Sequence, residues 1–157
     1  MSDLPTTIND LPRVEHGPGA VLLKQGGSSG ELYFLLRGRV EVEKDGELIT
    51  VVSQPGAVFG EMSYLLGAPH TATVRVKEQA EFAVAQDPAG FFHSSPGAAL
   101  YVAQILARRL DALNRYLVDL KTQFKDRDDH LGMVDEVLDA LMTKHPRVID
   151  RPYQEGP

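Results

Sequence analysis

The feature that most constrains the fold is a change of rhythm near residue 86. From about Val14 to Gln86 the chain is a series of short apolar runs, VLLK, ELYFLLRG, RVEVEKDGELITVV and QPGAVFG, broken by glycine at positions 17, 19, 26, 27, 30, 38, 46, 56 and 60. Runs of this length separated by turn residues predict strands, arranged as an all-β meander or barrel. Within RVEVEKDGELITVV, Val40 and Val42 alternate with Glu41 and Glu43 as on a half-buried strand. Asp45-Gly46 then supplies the positive backbone angles of a tight hairpin. Pro55-Gly56 marks a further turn.

Beyond residue 86 the punctuation stops. ALYVAQILARRLDALNRYLVDLKTQF, residues 99–124, contains no glycine or proline and is rich in Ala, Leu, Arg and Lys, which predicts one long helix. Ala103, Leu106, Leu110, Leu113, Leu117, Leu120 and Phe124 recur at alternating spacings of 3 and 4, the seam of a coiled coil. Self-association through Leu106, Leu110, Leu113, Leu117, Leu120 and Phe124 is one reading, and a helix lying on its own domain is the other. A shorter helix is expected from about His130 to Thr143, with Met133, Val137, Leu138 and Leu141 on one face, followed by a proline-containing tail. The expected organisation is therefore an all-β domain over 10–96, a long helix over 97–127, and a short helix with a frayed tail over 128–157.

Composition narrows the function. With 157 residues, 43% apolar and 24% charged, the chain suits one globular unit with an appendage. It has no cysteine, so disulfides, thiolate metal sites and cysteine nucleophiles are excluded. The net charge of -6, from 22 acids against 16 bases, opposes direct nucleic-acid or anionic-membrane binding. On the long helix Arg108, Arg109, Arg115, Lys121, Lys125 and Arg127 are interleaved with Asp111, Asp119, Asp126 and Asp128, leaving no basic stripe. The N-terminus shows no basic region followed by an apolar run, and no window is long enough to span a bilayer, so a cytoplasmic protein is expected. His16, His70, His93, His130 and His145 are scattered singly, which argues against a metal site of cupin type. No nucleophile elbow, phosphate loop or dinucleotide fingerprint is present, so neither an enzyme nor a bound cofactor is expected.

The chemistry concentrates in GEMSYLLGAPHTATV, residues 60–74. Gly60 can bring its bare backbone close to a ligand, and residues 61–66 can form a helical turn with free N–H groups. Glu61 is an acceptor for hydroxyl groups, while His70 and Thr71 can hold a phosphate by charge and hydroxyl donation. Each has a plainer explanation: Glu61 as an acid favouring a helix start, His70 as a polar surface residue, Thr71 as an ordinary strand residue. Tyr33 and Phe34 read as core strand residues, and Phe91-Phe92 as an anchor between roll and helix.

GGSSGELYFLLRGRVEVEKDGE followed by PGAVFGEMSYLLGAPHTATV resembles the cyclic-nucleotide-binding domain family, whose members include catabolite-activator-type regulators, protein kinase A regulatory subunits and cyclic-nucleotide-gated channels. The likeness covers roughly residues 10–125. It implies a mainly β fold with α: an eight-stranded β-roll, jelly-roll-like, holding a short phosphate-binding helix and followed by a long C-terminal helix and a short final helix. By resemblance, Glu61 takes the ribose 2′-hydroxyl of cAMP or cGMP, and Gly60 with neighbouring amides such as that of Met62 approaches the ribose and cyclic phosphate. Thr71 adds a hydroxyl, and alignment on ARRL places Arg109, Leu113 and Asn114 near the base.

His70 departs from the pattern. Binding members carry arginine here, whose planar fork pairs with the cyclic phosphate. A charge-assisted contact is worth about 1.5–3 kcal/mol, so its loss lowers affinity roughly 10- to 150-fold. Histidine replaces it in part when protonated, so binding strengthens as pH falls. The resemblance thus implies a non-catalytic, homodimeric sensor acting on an unidentified partner protein, with the downstream DNA-binding helices of the catabolite activators absent from the remaining ~30 residues. The competing reading is a degenerate domain that has lost nucleotide binding and serves as a dimeric scaffold.

Overall fold

The computed structural model describes residues 4–123, 135–137, 139 and 141. A short helix α1 (Thr6–Asn9) precedes strands β1 (Arg13–His16), β2 (Val21–Leu23), β3 (Leu32–Lys44), β4 (Glu47–Val52) and β5 (Val58–Phe59). Helix α2 (Glu61–Leu66), strand β6 (Thr73–Ala85), helix α3 (Pro88–Ser94) and the long helix α4 (Pro96–Gln123) follow. One compact unit runs to Gln104 and a second begins at Ile105.

All strand pairs are antiparallel, in the order β1-β6-β3-β4, with β2 also pairing with β6 and β5 with β3. The eight strands implied by the resemblance are six among the described residues. The difference lies in β3, where Gly38 suggests an interruption, and in β6; each runs 13 residues as one strand. They pair along their length, with register shifts between Leu35 and Arg37, Arg37 and Arg39, and Arg39 and Val40. Such bulges bend a strand without ending it. Gly38 makes the bend feasible: its φ is +100°, and a Cβ there would strike the backbone of Gln79 and Ala80.

The expected hairpin is present. Asp45 and Gly46 take φ of +53° and +79°, joining Lys44 to its partner Glu47. Val40 is fully buried and Val42 packs on the core, whereas Glu41 and Glu43 face outward to Lys77 and Arg75. The core of the roll is built from Leu22, Leu23, Leu35, Val40, Phe59, Val74, Val76, Ala80, Phe82 and Val84. Phe34 is fully buried, and Tyr33 packs edge-on against Phe82 at 6.0 Å.

The predicted long helix is α4, which begins at Pro96, one residue before the expected 97. Its first turns belong to the first unit: Ala98 and Val102 are buried, and the Tyr101 hydroxyl donates to the Gly56 carbonyl at 2.8 Å. On the predicted seam Leu110 and Leu113 are 40% and 46% exposed, while Leu106, Leu117 and Leu120 are half-buried. In the second unit Arg115 pairs with Asp111 at 3.1 Å, and Lys121 pairs with Asp135. Of the expected final helix, residues 135–137, 139 and 141 are helical, and its remainder, like Phe124, lies outside the described residues.

Candidate functional site

The turn between β5 and β6 is shaped by two glycines. Gly60 adopts φ +91° immediately before α2, and Gly67 adopts φ +61° immediately after it. At Gly60 a Cβ would lie 2.5 Å from the carbonyl oxygen of Glu31. That contact forces glycine and holds the start of α2 against the chain entering β3. At the other end the Ser63 hydroxyl donates to the Ala68 carbonyl at 2.5 Å, and the Ala68 N–H donates to the Ser63 carbonyl at 3.1 Å, closing the helix onto the Ala68-Pro69-His70 segment.

This turn is stitched to the loop between β2 and β3. Gly26 N–H donates to the His70 carbonyl and His70 N–H to the Gly27 carbonyl, each at 2.8 Å. Gln25 anchors the base of the loop: its N–H donates to Thr73 Oγ1 at 3.0 Å, and its side-chain amide exchanges two hydrogen bonds with Asp45. Loop and turn enclose a cavity of about 430 Å³, lined by Ser28, Gly30, Glu31, Gly60, Ser63 and Tyr64, and closed by Gly67, Ala68, Pro69 and His70. A volume in this range suits a small organic ligand.

His70 is only 7% exposed. Its Nε2 accepts the Ser29 N–H at 3.2 Å and lies 3.1 Å from the Ser29 hydroxyl. A nitrogen that accepts from a backbone N–H carries no proton, so the ring is neutral with its proton on Nδ1. Burial pushes its pKa below the ordinary value in the same direction. Glu31 accepts from the Tyr33 hydroxyl at 2.7 Å, and burial together with that carboxylate raises the pKa of Tyr33.

Of the residues singled out from sequence, the structure brings Gly60 and His70 together on one cavity wall. Glu61 is 4% exposed at the first position of α2, engaged with other groups of the protein, and follows the wall residue Gly60 without lining the cavity itself. Met62 is 46% exposed and Thr71 is exposed, neither on the lining. Arg109, Leu113 and Asn114 fall on α4 in the second unit, where the Asn114 side-chain oxygen is buried without a hydrogen-bond partner.

Sequence reasoning missed Ser28, Ser29 and Glu31. They sit about 30–40 positions before the turn, and GGSSGE reads as an ordinary loop. It also missed Tyr64 as a cavity residue. Tyr64 contacts Phe92 of α3 at 5.7 Å, Phe92 contacts Phe91 at 5.7 Å, and Phe91 meets the core through Phe34 at 6.1 Å. The cavity wall is thereby in aromatic contact with the segment that leads into α4. Among the described residues no cluster of three His, Asp or Glu side chains could hold a metal ion, and no helix is long and apolar enough to cross a membrane.

A roll with its ligand-sized cavity between a glycine-led helical turn and a facing loop defines a class, and the comparisons identify it. Residues 13–88 match the family model of the cyclic nucleotide-binding domain. The Thermus thermophilus catabolite activator protein superposes with a TM-score of 0.62 at 25% identity, covering 74% of this chain and 57% of that one. The cAMP-bound PfPKA-R structure superposes at 0.55 with 22% identity, over 70% of this chain and 37% of that one, a likeness of fold. By sequence, 65 residues are 45% identical to the potassium channel SKOR of Arabidopsis thaliana, covering 39% of this chain and 8% of the channel. Eighty residues are 39% identical to the acetyltransferase Pat of Mycolicibacterium smegmatis, covering 49% of this chain and 24% of that enzyme. The chain thus spans under a quarter of the length of either curated relative.

Proposed function

We propose that this chain is a non-catalytic regulatory module that binds cAMP or cGMP in the cavity between the 26–31 loop and the Gly60–His70 turn, requires no cofactor, and acts as a homodimer on a partner protein. The observation that carries this reading is the cavity itself: about 430 Å³, in a family fold, with a wall glycine that brings backbone to the surface. In this reading the ribose hydroxyls are taken by a carboxylate, Glu61 or the cavity-lining Glu31, and the cyclic phosphate lies against Ser29, His70 and Thr71. Ligand occupancy displaces Tyr64, and the Tyr64–Phe92–Phe91 contacts carry that displacement to α4. A dimer uses the exposed Leu110 and Leu113 with Leu106, Leu117, Leu120 and Phe124.

One observation favours a second reading, a scaffold that no longer binds nucleotide: among the described residues the cavity lining contains no lysine or arginine, and its histidine is neutral and already paired with Ser29. Titration calorimetry with cAMP and cGMP on the wild type and on His70→Arg separates the two. The sensor reading expects saturable binding to the wild type, tightened roughly 10-fold or more by arginine. The scaffold reading expects no heat with the wild type at millimolar ligand.

A further inference from the structure

We infer that the Ser29–His70 pair is a latch, and that capture of an anionic ligand in this cavity exchanges that latch for the uptake of one proton by His70. The inference rests on the cyclic-nucleotide reading above and concerns how the same site is regulated.

The Nε2 lone pair of His70 points at the Ser29 N–H at 3.2 Å. The ring is neutral, and among the described residues the lining carries the Glu31 carboxylate with no lysine or arginine to balance an anion. An anion entering this arrangement meets no full positive charge and gives up its hydration. A proton arriving alone fares no better, because it sets an Nε2–H against the Ser29 N–H in a nearly buried place. Together the two events support each other. An anionic oxygen inserted between His70 and Ser29 accepts from the imidazolium Nε2–H and from the Ser29 N–H and hydroxyl, three donors converging on one charge. Anion and proton therefore bind with reciprocal coupling.

The titratable groups on the surrounding elements are Lys24 and Glu31 on the facing loop, Glu61 and Tyr64 on α2, and Arg75, Lys77, Glu78 and Glu81 on β6. Of these Glu31 and Tyr64 share the cavity, Glu31 already accepting from Tyr33, while Arg75 is paired with Glu43 at 3.7 Å. In the free protein burial holds the His70 pKa below 6.5, and a bound anion raises it. Between the free and bound values, each unit of rising pH weakens anion binding by up to about tenfold. A neutral ligand of similar shape, such as adenosine or guanosine, triggers no proton uptake.

Calorimetry with cAMP and cGMP at pH 7.5, in two buffers of different ionisation enthalpy, counts the protons. The expected result is uptake approaching one proton per site, with the dissociation constant rising up to about tenfold per pH unit between 6.5 and 8.5. In His70→Arg, binding becomes at least as tight and both effects vanish. His70→Gln keeps a side-chain acceptor for the Ser29 N–H but cannot titrate, so it loses the pH slope while remaining folded. Nitrogen NMR of the His70 ring at pH 7 should show Nε2 unprotonated in the free protein and protonated in the complex. Wild-type binding with a flat pH profile and no proton uptake overturns the inference while leaving the sensor reading standing. Absence of binding by both the wild type and His70→Arg overturns the two together.

Discussion

A methyl group at residue 60 has nowhere to go: it would lie 2.5 Å from the Glu31 carbonyl oxygen, on a backbone with φ +91°. Gly60→Ala should therefore cost on the order of 1–3 kcal/mol, read as a lower denaturation midpoint, and deform the cavity wall. His70 acts differently. Its folded pKa lies below the ordinary 6.5, so the unfolded chain binds protons more readily than the folded one as acid is added. The stability this group contributes is complete above pH 6.5 and is lost as pH falls through that value towards the folded pKa. Urea unfolding at pH 7.5 and 5.5 should show this loss, and His70→Gln should reduce it. At this scale the sequence was half legible. Gly60 and His70 stood out by residue type and spacing, whereas Ser28, Ser29 and Glu31 come from a distant loop brought in by the Gly26 and Gly27 hydrogen bonds to His70, and no local pattern announces such pairing.

Among the elements, those with a strong local signal were legible: the Asp45-Gly46 hairpin, the turn of helix at 61–66, and the long helix. The strand count was not. Glycine 38 signals a break in a sequence, but in the sheet it permits a continuous bent strand because β6 crowds it. Gly38→Ala is accordingly expected to destabilise the roll by more than the ~1 kcal/mol of an ordinary glycine replacement, measurable by thermal unfolding. The helix α4 offers a separate test. Leu110 and Leu113 are 40% and 46% exposed in the single chain, and a heptad seam leaves such residues for a second helix. Leu110→Asp should convert a dimer to a monomer in sedimentation velocity without lowering the unfolding midpoint of the roll. An unchanged sedimentation coefficient would contradict dimerisation through this seam.

For the whole molecule, the net charge of -6 works against anionic ligands at long range, and among the described residues the cavity lining supplies no arginine or lysine to offset it. Any affinity for a cyclic nucleotide must then come from short-range donors, including the Ser29–His70 pair. At 100 times its dissociation constant the ligand should stabilise the fold by about 2.7 kcal/mol. The family was legible because its motif is a contiguous turn, while the state of its central histidine was not, since that depends on burial and on Ser29. The most direct measurement is amide chemical-shift mapping with cAMP and cGMP at pH 6.5. Saturable shifts centred on Ser29, Gly30, Glu31, Gly60, Tyr64 and His70 are the predicted result. Shifts confined to other surfaces, or none at millimolar ligand, would contradict the assignment of this cavity as the nucleotide site.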